Sequence, residues 1–160
     1  MDTLFGILSV EQWLAILRIG IGLWWLKSVF HKPLRQFLSG QMVGWTLALA
    51  DNHPSQTYGS LIKKVVGGNA TIFPYLVILG ELAVGVGLVL GFLTPLALLV
   101  AIFLNLNYIS LARVRPHDIG VNKAYQCEWG QNWTNVITEV VLLATRSWSV
   151  WSIDSLLGIF

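Results

Sequence analysis

Six polar residues stand where the sequence is otherwise apolar: Arg18, Glu81, Asn105, Asn107, Asn135 and Glu139. Glu81 is the sharpest case. It lies in YLVILGELAVGVGLVLGFL, residues 75–93, where the other eighteen are apolar, glycine or tyrosine. A charge at the centre of a bilayer costs about 2.5–3.5 kcal/mol on insertion scales, so such residues face the protein interior and find partners. Two kinds of chemistry follow. A carboxylate beside a cation makes a buried ion pair that fixes helix register. A desolvated carboxyl handles protons or faces a quinone. Arg18 is the one cation at mid-span depth and is the expected partner of Glu81. Each sits about 12 Å from one end of its segment, so in a core of about 30 Å the two differ by about 6 Å in height. Asn105 falls at a similar depth and is expected beside the pair. Glu81 and Arg18 are therefore the candidates for chemistry, with a structural ion pair as the competing role. Asn105, Asn107 and Glu139 are the candidates for holding a ligand.

Four segments are expected to carry these residues across a bilayer: about 10–30, 73–93, 95–112 and 133–153. A spanning helix needs about 20 residues. The first two segments meet that, the third is slightly short, and Arg146 interrupts the fourth. Thr94-Pro95 supplies an N-cap and a proline at the first helical position, so the second and third segments form a tight hairpin. Apolar residues at 34, 37, 38, 42, 45 and 49 follow helical spacing and predict an amphipathic helix over about 34–50, at the interface or packed on the bundle. DNHPSQTYGS and GGN read as turns, and 113–132 as an irregular loop. The predicted fold is all-α: one membrane domain over 1–160, a four-helix bundle with an added interfacial helix.

Composition agrees. Hydrophobic residues make up 55% of the 160 and charged residues 11%, against about 25% charged in a soluble domain. Mean hydropathy is +0.67. A net charge of +2 argues against nucleic acid as a partner. The start of the chain has no basic region ahead of its first apolar run, so no cleavable signal peptide is expected. The lone Cys127 excludes an internal disulfide or a paired-thiol redox site, and its neighbours Gln126 and Glu128 offer no positive charge to activate it. No metal site is expected. His31, His53 and His117 lie outside or at the edge of the segments, which excludes a bis-histidine haem in the bilayer. Trp24, Trp25, Trp129, Trp133, Trp148 and Trp151 are expected as interfacial anchors, with a stacking surface for a quinone or pigment as the alternative, and the glycines around Glu81 as helix-packing positions.

Basic residues set the orientation. Lys27, Lys32, Arg35, Lys63 and Lys64 follow or end the first segment, and Arg113, Arg115 and Lys123 follow the third. With four spans these eight share one side, against Arg146 on the other. That side is expected to be cytoplasmic, with both termini outside.

Three stretches together resemble the DoxX/DoxD family of small four-helix membrane proteins: LRIGIGLWWLKSVFHK, then NATIFPYLVILGELAVGVGLVLGFLTPLALLVAIFLNLNYI, then SVWSIDSLLG. The hairpin GELAVGVGLVLGFLTPLA, followed by NLNY, carries most of the likeness. The family includes the DoxD subunit of thiosulfate:quinone oxidoreductase. The resemblance implies a redox-associated subunit in a bacterial or archaeal cytoplasmic membrane, with quinone as the ligand and no cofactor of its own. It also implies other subunits, or a second copy, as partners beside the bilayer. The alternative is a non-catalytic structural or assembly subunit of a respiratory or photosynthetic complex. A transporter is a third reading, disfavoured because no inverted repeat is visible.

Overall fold

A computed structural model describes residues 7–112 and 124–160. Its regular elements are helices. The expectations for Arg113, Arg115, His117, Lys123 and the Cys127 side chain lie outside the described residues.

Helix α1, Val10–His31, starts at a capping box in which Ser9 Oγ accepts from Gln12 N and the Gln12 side chain accepts from Ser9 N. A broken segment follows. It comprises α2 (Leu34–Gln36), a π-helical turn over Phe37–Gln41, and α3 (Met42–Asp51). After a turn, α4 (Gln56–Ile62) continues into a second π-helical turn over Lys63–Gly67. Helices α5 (Phe73–Leu90) and α6 (Thr94–Leu111) form the expected hairpin. Helix α7 (Ala124–Ala144) and the short α8 (Ile153–Leu157) complete the described chain.

Helix α1 packs along α5, α6 packs against α5 and α7, and α7 also reaches α1. Glycines set how closely α1 and α5 approach. A Cβ on Gly22 would lie 2.8 Å from Val89 N, and one on Gly85 would lie 2.7 Å from Leu26 Cδ2. The packing role expected for the α5 glycines thus holds at Gly85, and Gly87 meets the Ala97 side chain. The core comprises Trp25, Val84, Leu88, Leu98, Ala101 and Leu142. Phe30, Leu79, Leu99, Phe103 and Ile137 instead point outward. Helices α1, α5 and α6 are each long and apolar enough to cross a membrane.

Several expectations change. The fourth segment is shifted: α7 ends at Ala144, and residues 145–152 turn back with Arg146 and Trp151 at positive φ. Helix starts by Ala124, so the end of the expected loop at 113–132 is helical. Gln131, Asn132, Asn135 and Glu139 dilute the apolar character of α7, and it is not among the three spanning candidates. The helix expected over 34–50 breaks at Gly40, whose φ of 110° only glycine adopts readily. Its second half, α3, buries Met42, Val43, Thr46, Leu49 and Ala50 against the neighbouring elements. Part of DNHPSQTYGS is helical because Ser55 Oγ accepts from Tyr58 N and starts α4. Trp25 and Trp148 are core residues, 1% and 6% exposed, and not interfacial anchors.

The hairpin cap also differs. Thr94 is not the N-cap of α6. Leu93 holds that position at φ 50°, with no cap bond from its own side chain. The carboxylate of Asp154, on α8, accepts from Leu93 N at 2.7 Å and Thr94 N at 2.8 Å. In turn Asp154 N donates to Gly91 O. An acidic group from a distant segment thus satisfies the open amides at this helix start, where the helix dipole favours negative charge.

Candidate functional site

Besides the Asp154 cap, two buried carboxylates, Glu81 and Glu139, organise the interior. Glu81, on α5, is 1% exposed. It is ion-paired with Lys32, which follows α1, and Tyr108 Oη on α6 donates to Glu81 Oε1 at 2.6 Å. Lys32 reaches inward from the helix end, and its Nζ lies over the Phe37 ring, 5.7 Å from the centroid. Glu139, on α7, is fully buried. Its Oε1 accepts from Trp25 Nε1 at 3.0 Å, and Asn105 Nδ2 lies 3.0 Å from both carboxylate oxygens.

The two sites share a plan. Each carboxylate takes one donor from the α1 side and one from α6. Asn105 and Tyr108 are three residues apart on one face of α6, and Lys32, just past the end of α1, follows Trp25 by seven. The Glu139 site is therefore deeper and the Glu81 site nearer the end of α1.

A cavity of about 790 Å³ opens beside the Glu81 site, within the range usual for small-molecule pockets. Glu81, Lys32 and Tyr108 line it together with Trp24, Phe37 and Trp45. Trp25 and Asn132 lie on its wall, so it reaches residues on the faces that carry the Glu139 site. Asn107 also lines it and accepts from Tyr58 Oη at 3.2 Å. Burial pushes the Tyr58 phenol above its ordinary pKa, which keeps it a donor. Among the described residues, no group of His, Cys, Asp and Glu side chains could hold a metal ion.

The expected pairing of Glu81 with Arg18 is corrected. Arg18 Nη1 packs against Gly91, and Nη2 donates to Trp151 O at 2.5 Å. Gly91 follows Glu81 by ten residues, about 15 Å at helical rise. Arg18 thus belongs to the opposite end of α5, near the Asp154 carboxylate. Asn105 is also not a neighbour of the Glu81 pair, because it serves Glu139. Of the ligand candidates, Asn107 reaches the cavity, whereas Asn105 and Glu139 form the deeper site.

Sequence reasoning missed Lys32, Tyr108, Trp25 and Asp154. Signals existed for two of them. Tyr108 closes the NLNY stretch, three residues after Asn105, and Asp154 is the acidic residue of SIDSLLG.

No curated protein and no solved structure matches the chain. A family model described as "TQO small subunit DoxD" matches residues 13–158, a range that takes in most of α1, the cavity walls, Glu81, Glu139 and the Asp154 cap. The chain belongs to the DoxD family.

Proposed function

We propose that this DoxD-family chain is the quinone-facing membrane subunit of an oxidoreductase, and that a quinone head group docks in the cavity beside Glu81, Lys32 and Tyr108. The observation that carries the reading is a largely apolar, aromatic-walled cavity with one buried, doubly bonded carboxylate at its edge. A quinone has the matching chemistry: a flat apolar ring and carbonyl oxygens that accept hydrogen bonds. The Lys32 ammonium and Tyr108 hydroxyl are donors of the right kind. Reducing a quinone to a quinol takes two electrons and two protons. The electrons come from a reduced sulfur anion oxidised with a partner subunit, and the Lys32–Glu81–Tyr108 cluster supplies a proton. Helix α7 serves as the fourth membrane helix, the α2–α4 region lies at the interface, and the lysine-rich end of the bundle faces the cytoplasm.

Tryptophan quenching in reconstituted protein tests the site, because Trp24, Trp25 and Trp45 line the cavity. A short-chain quinone should quench saturably. Tyr108→Phe should weaken binding about five- to tenfold, the value of one lost hydrogen bond. Unsaturable quenching, the same in both proteins, would favour the structural-subunit reading.

A further inference from the structure

We propose that Glu139 is the second proton source of the quinone site, a reservoir behind the cavity wall that delivers the proton the Glu81 cluster does not. This rests on the quinone reading of the cavity.

The geometry is specific. Glu139 is fully buried, and its partners are the neutral donors Trp25 and Asn105. Among the described residues the salt bridges are Lys32–Glu81 and Lys63–Asp51, so no cation accompanies Glu139. A buried carboxylate without a cation is expensive, which keeps the neutral acid accessible. The donors that remain in place stabilise the carboxylate once its proton has left. The group can therefore exist in both forms without rearrangement. Glu81 is different, because a cation, Lys32, sits beside it.

A route to the cavity is present. Trp25 touches both Glu139 and the cavity. On α7, Asn132, Asn135 and Glu139 follow at three- and four-residue intervals on one face, and all three are buried. Asn132 lines the cavity, and Asn135 Nδ2 has no partner among the described residues. Polar groups thus run from the cavity wall to the carboxyl.

The balance is simple. The quinone takes two electrons from the reductant. One carbonyl oxygen gains a proton from the Lys32 cluster and the other gains the Glu139 proton, leaving a quinol, the Glu139 carboxylate and the cluster one proton short. The cluster and the carboxylate each then take a proton from water.

Redox-difference infrared spectroscopy tests this, with the bound quinone cycled at an electrode in the reconstituted protein. Followed in time after a potential step, the wild type should show transient loss of a protonated-carboxyl band as quinone is reduced, recovering as Glu139 takes a proton from water. Glu139→Gln should lose that band and slow quinol formation about 100-fold, the scale of a lost proton donor, while quinone still quenches tryptophan as in wild type. Asn105→Leu removes a hydrogen-bonding partner and keeps the acid, so it should shift the band and not abolish it. An unchanged band and rate in Glu139→Gln, with quinone bound, would overturn the proposal. An unshifted band in Asn105→Leu would also overturn it. No saturable quenching in wild type would instead remove the cavity reading itself.

Discussion

Trp25, on α1, and Lys32, the residue that caps its C-terminal end, stand seven residues apart, and each holds a buried carboxyl group, Glu139 and Glu81 respectively. That spacing, about 10 Å at helical rise, separates a carboxyl group with uncharged partners from an ion-paired one. The last turns of α1 and its capping residue position both groups relative to the cavity.

The Lys32–Glu81 pair should be energetically coupled and the Arg18–Glu81 pair should not. Lys32→Met leaves the buried Glu81 carboxylate uncompensated and should destabilise the protein by about 3–5 kcal/mol. Adding Glu81→Gln should restore part of that. In a double-mutant cycle, Arg18→Gln and Glu81→Gln should be additive to within about 0.5 kcal/mol. Unfolding in mixed micelles measures both cycles, and strong coupling of Arg18 with Glu81 would refute the assignment. Lys63→Ala is a useful control, because its exposed bond to Asp51 should contribute less than about 1 kcal/mol.

Asp154→Ala should destabilise by about 2–3 kcal/mol, since it removes a charged acceptor from Leu93 N and Thr94 N at the start of α6. Asp154→Asn should cost less, because one oxygen acceptor survives. Equal effects of the two variants would mean that the cap matters little.

Gly91→Ala should be severe. Gly91 ends α5 at φ 64°, and a Cβ there would overlap Arg18 Nη1 and the Ser152 side chain. Gly20 lies within α1 with open space around it, so Gly20→Ala should be neutral or stabilising by up to about 1 kcal/mol. Thermal unfolding of the two variants compares them, and a tolerated Gly91→Ala would argue against this packing.

Orientation is checked by labelling. Lys63→Cys, at the lysine-rich end, should resist an impermeant thiol reagent in intact cells and react after lysis. Reaction in intact cells would invert the proposed topology.

Much of this was legible in the sequence, and the failures have physical causes. The apolar runs of α1, α5 and α6 marked their helices because a bilayer demands that composition. Glu81 was legible as an inward residue for the same reason. Its partner was not, because depth counted from segment ends ignores the reach of Lys32 back along the bundle. Arg18 looked like the natural cation until Gly91 placed it at the other end of α5. Helix α7 was misread because its interior face is polar: Asn132, Asn135 and Glu139 spoil an apolar window while facing the cavity wall and neighbouring helices. The cap from Asp154 joins residues about 60 apart in sequence, which no local pattern reports.

The central claim is that the cavity beside Glu81 takes a quinone. A photoreactive quinone, crosslinked in reconstituted protein and mapped by peptide mass spectrometry, tests it most directly. Label should fall on the cavity walls, at the end of α1 around Trp24–Lys32, on α3 around Trp45, and on α6 around Tyr108. Excess unreactive quinone should suppress that label. Label confined to the outward faces around Leu79 and Leu99, and unaffected by competitor, would contradict the account.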